Sequence, residues 1–253
     1  MKLKIGEAIG RGIRVLKENP IIFVPAIISG ILAVVSLSFM APSPHLSFTE
    51  MIRFLFVVLL LITLLLLINL FLNGMIIKMS YDATKGETSL SGSVKFVARK
   101  YGTLLLASII FGIVVFLGPY IVAVIISIPL LILRELRFPA MFIPLIGSGI
   151  LTIFMVIKLL FYGYAILVDG NSAIDSLKKS WNTTKGNWWR IFAIVLVFGI
   201  PIGIPAGLSD ILPLSASAIL TFLVTLFITP WLYSSLTFAY IQLKEAASVE
   251  CCM

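Results

Sequence analysis

Lys158 and Tyr162 stand four residues apart inside a long apolar run, and Asn69 and Asn73 stand four apart inside another. That spacing places each pair on one face of a helix. Lys158 lies ten residues before Val168, about 15 Å along a helix axis and so near mid-bilayer if the run spans a membrane. An ammonium at that depth costs several kcal/mol unless it snorkels or finds a partner. Gly147, Leu151 and Tyr162 share its face, so the Tyr162 hydroxyl or a carbonyl freed by a kink is its candidate structural partner. The functional alternative is an anionic lipid or substrate. Asn69 and Asn73 admit the same two readings, glue between helices or contact with a ligand.

The apolar runs contain no aspartate or glutamate, so no acid-base pair is placed for catalysis and an enzyme is not expected. His45 is the only histidine, which argues against a histidine-pair metal site and against a Ser-His dyad. Gly147-Ser148-Gly149 lacks the spacing of a serine elbow, and its small residues fit close helix approach better. Cys251 and Cys252 close the chain on the expected reducing side, where palmitoylation or a plain tail is expected in preference to a disulfide. No glycine-rich phosphate loop is present. Neither cofactor nor metal is expected.

What must position these residues is a set of membrane helices. Hydrophobic residues make up 60% of the chain and charged residues 12%, about half the charge of a soluble domain. Uncharged runs at 21–40, 54–77, 101–133, 138–168 (interrupted only by Lys158), 191–209 and 211–243 each reach the roughly 20 residues that cross a bilayer. The expected fold is all-α, a polytopic membrane protein with six transmembrane helices forming one integral membrane domain over residues 1–253. The runs 101–133 and 211–243 are too long for one upright helix. Gly118-Pro119, Pro213, Pro230 and the GIPIGIPAG stretch beginning at Gly199 are therefore expected to kink or break their helices.

Between the spans lie basic amphipathic segments. In residues 169–190, DGNSAIDSLKKSWNTTKGNWWR, Ser172 and Asp175 have the form of a capping box, which predicts a helix start. Ile174, Leu177 and Trp181 fall on one face and Asp175, Lys178 and Lys179 off it, predicting a helix that lies in the lipid interface. Trp181, Trp188 and Trp189 are its anchors, with Arg190 beside them. Ile5, Ala8, Ile9, Ile13 and Leu16 form a similar stripe near the N-terminus, with Arg11 and Arg14 opposite. Val94, Val97, Ala98 and Tyr101 form a third, with Lys95 and Arg99 on another face. Arg11, Arg14, Lys95, Arg99, Lys178, Lys179 and Arg190 are the candidate contacts for anionic headgroups.

With the N-terminus inside, Arg53, Arg134 and Arg137 fall outside and Lys158 within a span, and every other lysine and arginine is cytoplasmic. Both termini are then cytoplasmic in a cell membrane, and the formal charge of +8 faces anionic lipid, with no nucleic-acid-reading element present. The segments beginning at Leu16, Ala98 and Thr184 align as three parallel helix-plus-two-span repeats, 1–80, 81–169 and 170–253, although membrane composition alone produces similar patterns.

GEAIGRGIRVLKENP at the start and SAIDSLKKSWNTTKGNWWRIF near the end, with an Asp-containing turn between, resemble the multi-span membrane domain attached to some bacterial glycerophosphodiester phosphodiesterases, and related stand-alone integral membrane proteins of archaea and bacteria. The resemblance covers most of the chain. In those phosphodiesterases the chemistry resides in a separate barrel domain, so the resemblance implies a membrane module without the catalytic part. Three functions of different class follow. One is a non-catalytic module that binds or organises anionic lipid, alone, as a homo-oligomer or beside a membrane-protein partner. Another is a transporter or channel for an amphiphilic or anionic small molecule. An intramembrane enzyme comes last. Sparse polar content within the spans favours the first.

Overall fold

The computed structural model describes residues 3–39, 47–132, 137–209 and 211–250. His45, Arg134, Cys251 and Cys252 lie outside the described residues. Those described fold into helices and turns with no strand. In order they are α1 (Ile5–Glu18), α2 (Phe23–Phe39), α3 (Phe48–Ala83), α4 (Leu90–Gly112), α5 (Gly118–Ile132), α6 (Arg137–Leu159), α7 (Tyr162–Leu167), α8 (Ala173–Thr183), α9 (Trp188–Leu208) and α10 (Leu214–Glu250). Five helical stretches are long and apolar enough to cross a membrane. A sixth is obtained if α1 and α2, bent by 98° at Asn19, count as one broken span. The expected all-α membrane architecture is therefore present.

Two compact units divide the chain, Met1–Tyr101 with Phe192–Met253, and Gly102–Ile191. In the first, α1, α2 and α3 all pack on α10. α1 approaches through Ala8, Gly12, Val15 and Leu16, its buried residues. Ala8 and Leu16 belong to the predicted stripe, whereas Ile13 is exposed and Gly12 enters the contact, because only a residue without a side chain lets the backbones close up at Ser235. Trp231 Nε1 donates to Ile9 O at 3.1 Å, and Ser80 and Ser234 share a buried hydrogen bond of 2.8 Å. A complete capping box at Ser47 and Glu50 opens α3.

In the second unit α5 packs on α6, and α8 packs on α6 and α7. The kink or break expected at Gly118-Pro119 takes the form of a π turn over Ile113–Leu117, closed by Gly118 N donating to Ile113 O. Pro119 has no amide to give Val115 O, and slipping the hydrogen bonds by one residue carries the helix past that defect without ending it. Of the other expected sites of a kink or break, only Pro213 stands in a gap between helices. Pro201 and Pro205 lie inside α9, Pro230 lies inside α10, and Pro213 precedes it. The predicted third amphipathic segment is not a separate helix, since residues 94–101 belong to α4. In membrane-spanning stretches neighbouring groups satisfy freed carbonyls, so a proline does not have to interrupt a helix.

Candidate functional site

Among the described residues, a helix breaks inside a predicted apolar span where there is neither proline nor glycine, at Leu160-Phe161 between α6 and α7. An uninterrupted helix would pair Phe161 N with Ile157 O and Tyr162 N with Lys158 O. Here Phe161 N donates to Ser180 Oγ at 3.0 Å, and Ser180 Oγ donates to Lys158 O at 3.0 Å. Thr184 Oγ1 reaches the same carbonyl at 3.4 Å. A single buried hydroxyl thus closes both strands of the gap. It comes from α8, whose Ser172, Ser176, Ser180 and Thr184 recur every fourth residue, the last three with no more than trace exposure. That period was the available sequence signal and is a small-residue helix contact face. Of the face predicted to lie in the lipid interface, Ile174 and Trp181 are exposed while Leu177 is buried, and the residues α8 buries against its neighbours are Ala173, Ser176, Leu177 and Ser180.

Three further contacts set α8 in place. Ser172 is its N-cap, accepting from Asp175 N at 3.3 Å. The predicted box is only half made, because Asp175 Oδ2 accepts the Ser172 hydroxyl at 2.6 Å and not the Ser172 amide. Lys179 pairs with Asp169 at 2.8 Å. Gly186, at φ +79°, turns the chain out of α8 and into α9, a conformation that favours glycine.

Lys158 occupies the last turn of α6 and is 9% exposed. Its expected partner Tyr162 does not reach it. Ser108 donates to Leu104 O, so Tyr162 donates to Ser108 Oγ at 2.9 Å, and its ring stacks on Phe111 at 5.1 Å. The Lys158 ammonium lies instead over two rings, Trp181 at 5.2 Å and Phe154 at 5.8 Å. Phe154 also meets Trp181 edge-on at 6.1 Å and stacks with Trp188 at 5.9 Å, and Trp188 Nε1 donates to Phe154 O at 3.4 Å. Trp189 meets Trp188 edge-on at 4.7 Å and remains 74% exposed. Two of the three predicted anchors, Trp181 and Trp188, therefore meet at Phe154, and Trp189 rests on Trp188. Cation-π contacts of this kind stabilise a desolvated ammonium by up to about 2 kcal/mol. No carboxylate pairs with Lys158, Lys178 or Lys185 among the described residues, and the Lys185 charge acts on Lys158.

Beside this cluster runs an open groove of about 410 Å³, walled by Val114 of the π turn, Met155 and Leu159 of α6, and Leu177, Lys178, Trp181 and Asn182 of α8. Val115, Leu159 and Leu177 form the buried cluster beneath it.

The remaining predicted residues lie elsewhere. Asn69 and Asn73 belong to the first unit, Lys158 and Tyr162 to the second. Asn69 is bonded to Ser29 of α2 and donates to Leu65 O at 3.0 Å, as helix glue would be. Asn73 Oδ1 is buried without a hydrogen-bond partner. Arg11 pairs with Glu7 at 2.6 Å, while Arg14, Lys95, Arg99 and Lys178 are exposed and make no ion pair among the described residues. Arg190 is half-buried.

Residues 3–235 match the family model described as Domain of unknown function (DUF7847). The chain belongs to that family. No curated protein and no solved structure matches it. The DUF7847 match takes in the broken helix, α8 and the tryptophan cluster entire.

Proposed function

We propose that this DUF7847 chain is a non-catalytic integral membrane module that binds anionic lipid through basic, tryptophan-flanked helices at one leaflet. The observation that carries the reading is the charge imbalance around α8, where Lys158, Lys178 and Lys185 have no carboxylate partner among the described residues although Lys179 does. Unpaired lysines beside exposed tryptophan at the end of a membrane helix suit an anionic headgroup layer. The reading places both termini on the cytoplasmic side, where positive charge concentrates. The resemblance to the membrane domain of glycerophosphodiester phosphodiesterases supports a module that serves a partner and carries no chemistry of its own.

The test is the lipid retained by protein purified in mild detergent and identified by native mass spectrometry. Anionic phospholipid is expected on the wild type and is expected to fall with Lys178→Gln and Lys185→Gln combined. Lys179 is left alone because its bond to Asp169 is structural. Equal retention of zwitterionic and anionic lipid by the wild type would sink the proposal.

The hydroxyl-closed break in α6–α7 favours a second reading, a carrier for an amphiphile, since such breaks line substrate sites in membrane transporters. Movement of a labelled amphiphile across proteoliposomes, abolished by Lys158→Leu in folded protein, would put that reading first.

A further inference from the structure

We infer that the α6–α8 groove is a slot for one acyl chain of an anionic phospholipid, whose phosphate rests on Lys178 and Asn182 at its end. This rests on the lipid-binding reading above and adds where the lipid sits and what selects it. The groove walls are apolar in Val114, Met155, Leu159 and Leu177, and polar only on α8, in Lys178 and Asn182. Lys178 and Asn182 are four residues apart on α8, so a cation and an amide share one side of that helix. A lysine and an asparagine on one wall of an otherwise apolar slot suit a phosphate attached to a hydrocarbon chain.

The aromatic cluster accounts for the sign of the charge selected. Trp181 forms one wall of the groove, and the ammonium of Lys158 lies over its ring. A choline or ethanolamine cation brought to that ring would meet an aromatic group already engaged by a cation, and the Lys158 ammonium would repel it. An anion meets no such objection. Asp175 is the carboxylate on this helix nearest to Lys178 in sequence, and it is engaged by the Ser172 hydroxyl. The π turn contributes by carrying Val114 to the groove wall ahead of Pro119.

The experiment uses the full chain in nanodiscs doped with a photoactivatable lipid that carries a diazirine near its chain end, on either a phosphatidylglycerol or a phosphatidylcholine head. The phosphatidylglycerol probe is expected to label Met155, Leu159 and Val114 preferentially. Lys178→Gln is expected to reduce that labelling about fivefold, and Lys178→Arg to restore it. Met155→Trp, which fills the slot, is expected to remove labelling there. If Met155→Trp fails to fold, the comparison of the two head groups on wild-type protein decides alone. Equal labelling by the phosphatidylcholine probe overturns the selective slot, and labelling scattered over the exposed helices overturns the slot altogether, both without touching the broader reading. Soluble glycerol phosphate that competes as well as the lipid does would show a phosphate site with no chain slot.

Discussion

A Cβ added to Gly12 would stand 2.5 Å from Ser235 Oγ and 2.9 Å from Ser235 N, whereas one added to Gly6 or Gly10 meets nothing within 4 Å. Helix propensity alone says that all three glycines weaken α1, each by up to about 1 kcal/mol against alanine. Contact with α10 reverses the sign at one of them. Gly12→Ala is expected to lower stability by about 1–3 kcal/mol through overpacking, while Gly6→Ala and Gly10→Ala are neutral or stabilising. Thermal unfolding of the three variants in one detergent checks this, and equal midpoints for Gly12→Ala and Gly6→Ala would refute it. Ser180 is the second residue whose role lies in what it touches. Ser180→Ala leaves Phe161 N and Lys158 O without their partner and is expected to cost about 1–3 kcal/mol. Hydrogen exchange should then quicken at Phe161; unchanged protection there would mean that the break does not depend on the hydroxyl.

At the scale of elements, caps and turns decide where helices stop and what they aim at. Gly186 stands at φ +79° between α8 and α9, immediately before Asn187 and the Trp188 that stacks on Phe154. Gly186→Ala forces an L side chain into that conformation at a cost of about 1–2 kcal/mol. The expected result is a lower melting temperature together with altered tryptophan fluorescence, because the strain falls on the turn that presents Trp188. A loss of stability with an unchanged emission spectrum would show that the turn does not set the indole. The contrast with proline is instructive. Pro201, Pro205 and Pro230 all read as breakers in the sequence, and all sit within continuous helices.

For the whole molecule, the distribution of lysine and arginine makes one prediction that does not depend on any side-chain contact. Cysteines placed singly at Lys178 and Arg53 are expected to react with a membrane-impermeant maleimide from opposite sides of the bilayer. Reaction from the same side would overturn the proposed orientation and, with it, the assignment of the basic helices to one leaflet. Much of the architecture was legible beforehand. The long apolar runs gave the spanning helices, and Ser172 gave the start of α8. The functional constellation was legible only in part: Lys158 was found by its isolation among apolar residues, but its neighbours were misread. Tyr162 is four residues away on the same helical face, and the interruption at Leu160-Phe161 diverts it to Ser108.

Sequence by itself settled composition, the apolar helices, the helical period and which lysine stands isolated among apolar residues, because each is a property of residue type and local spacing. Tertiary structure alone decided that Gly12 is a contact, that Ser180 holds a helix open without proline, and that Phe154, Trp181 and Trp188 collect around one another. The physical reason is that backbone hydrogen bonds and close packing are satisfied by whatever group arrives from another helix. No residue's own type records which group that will be.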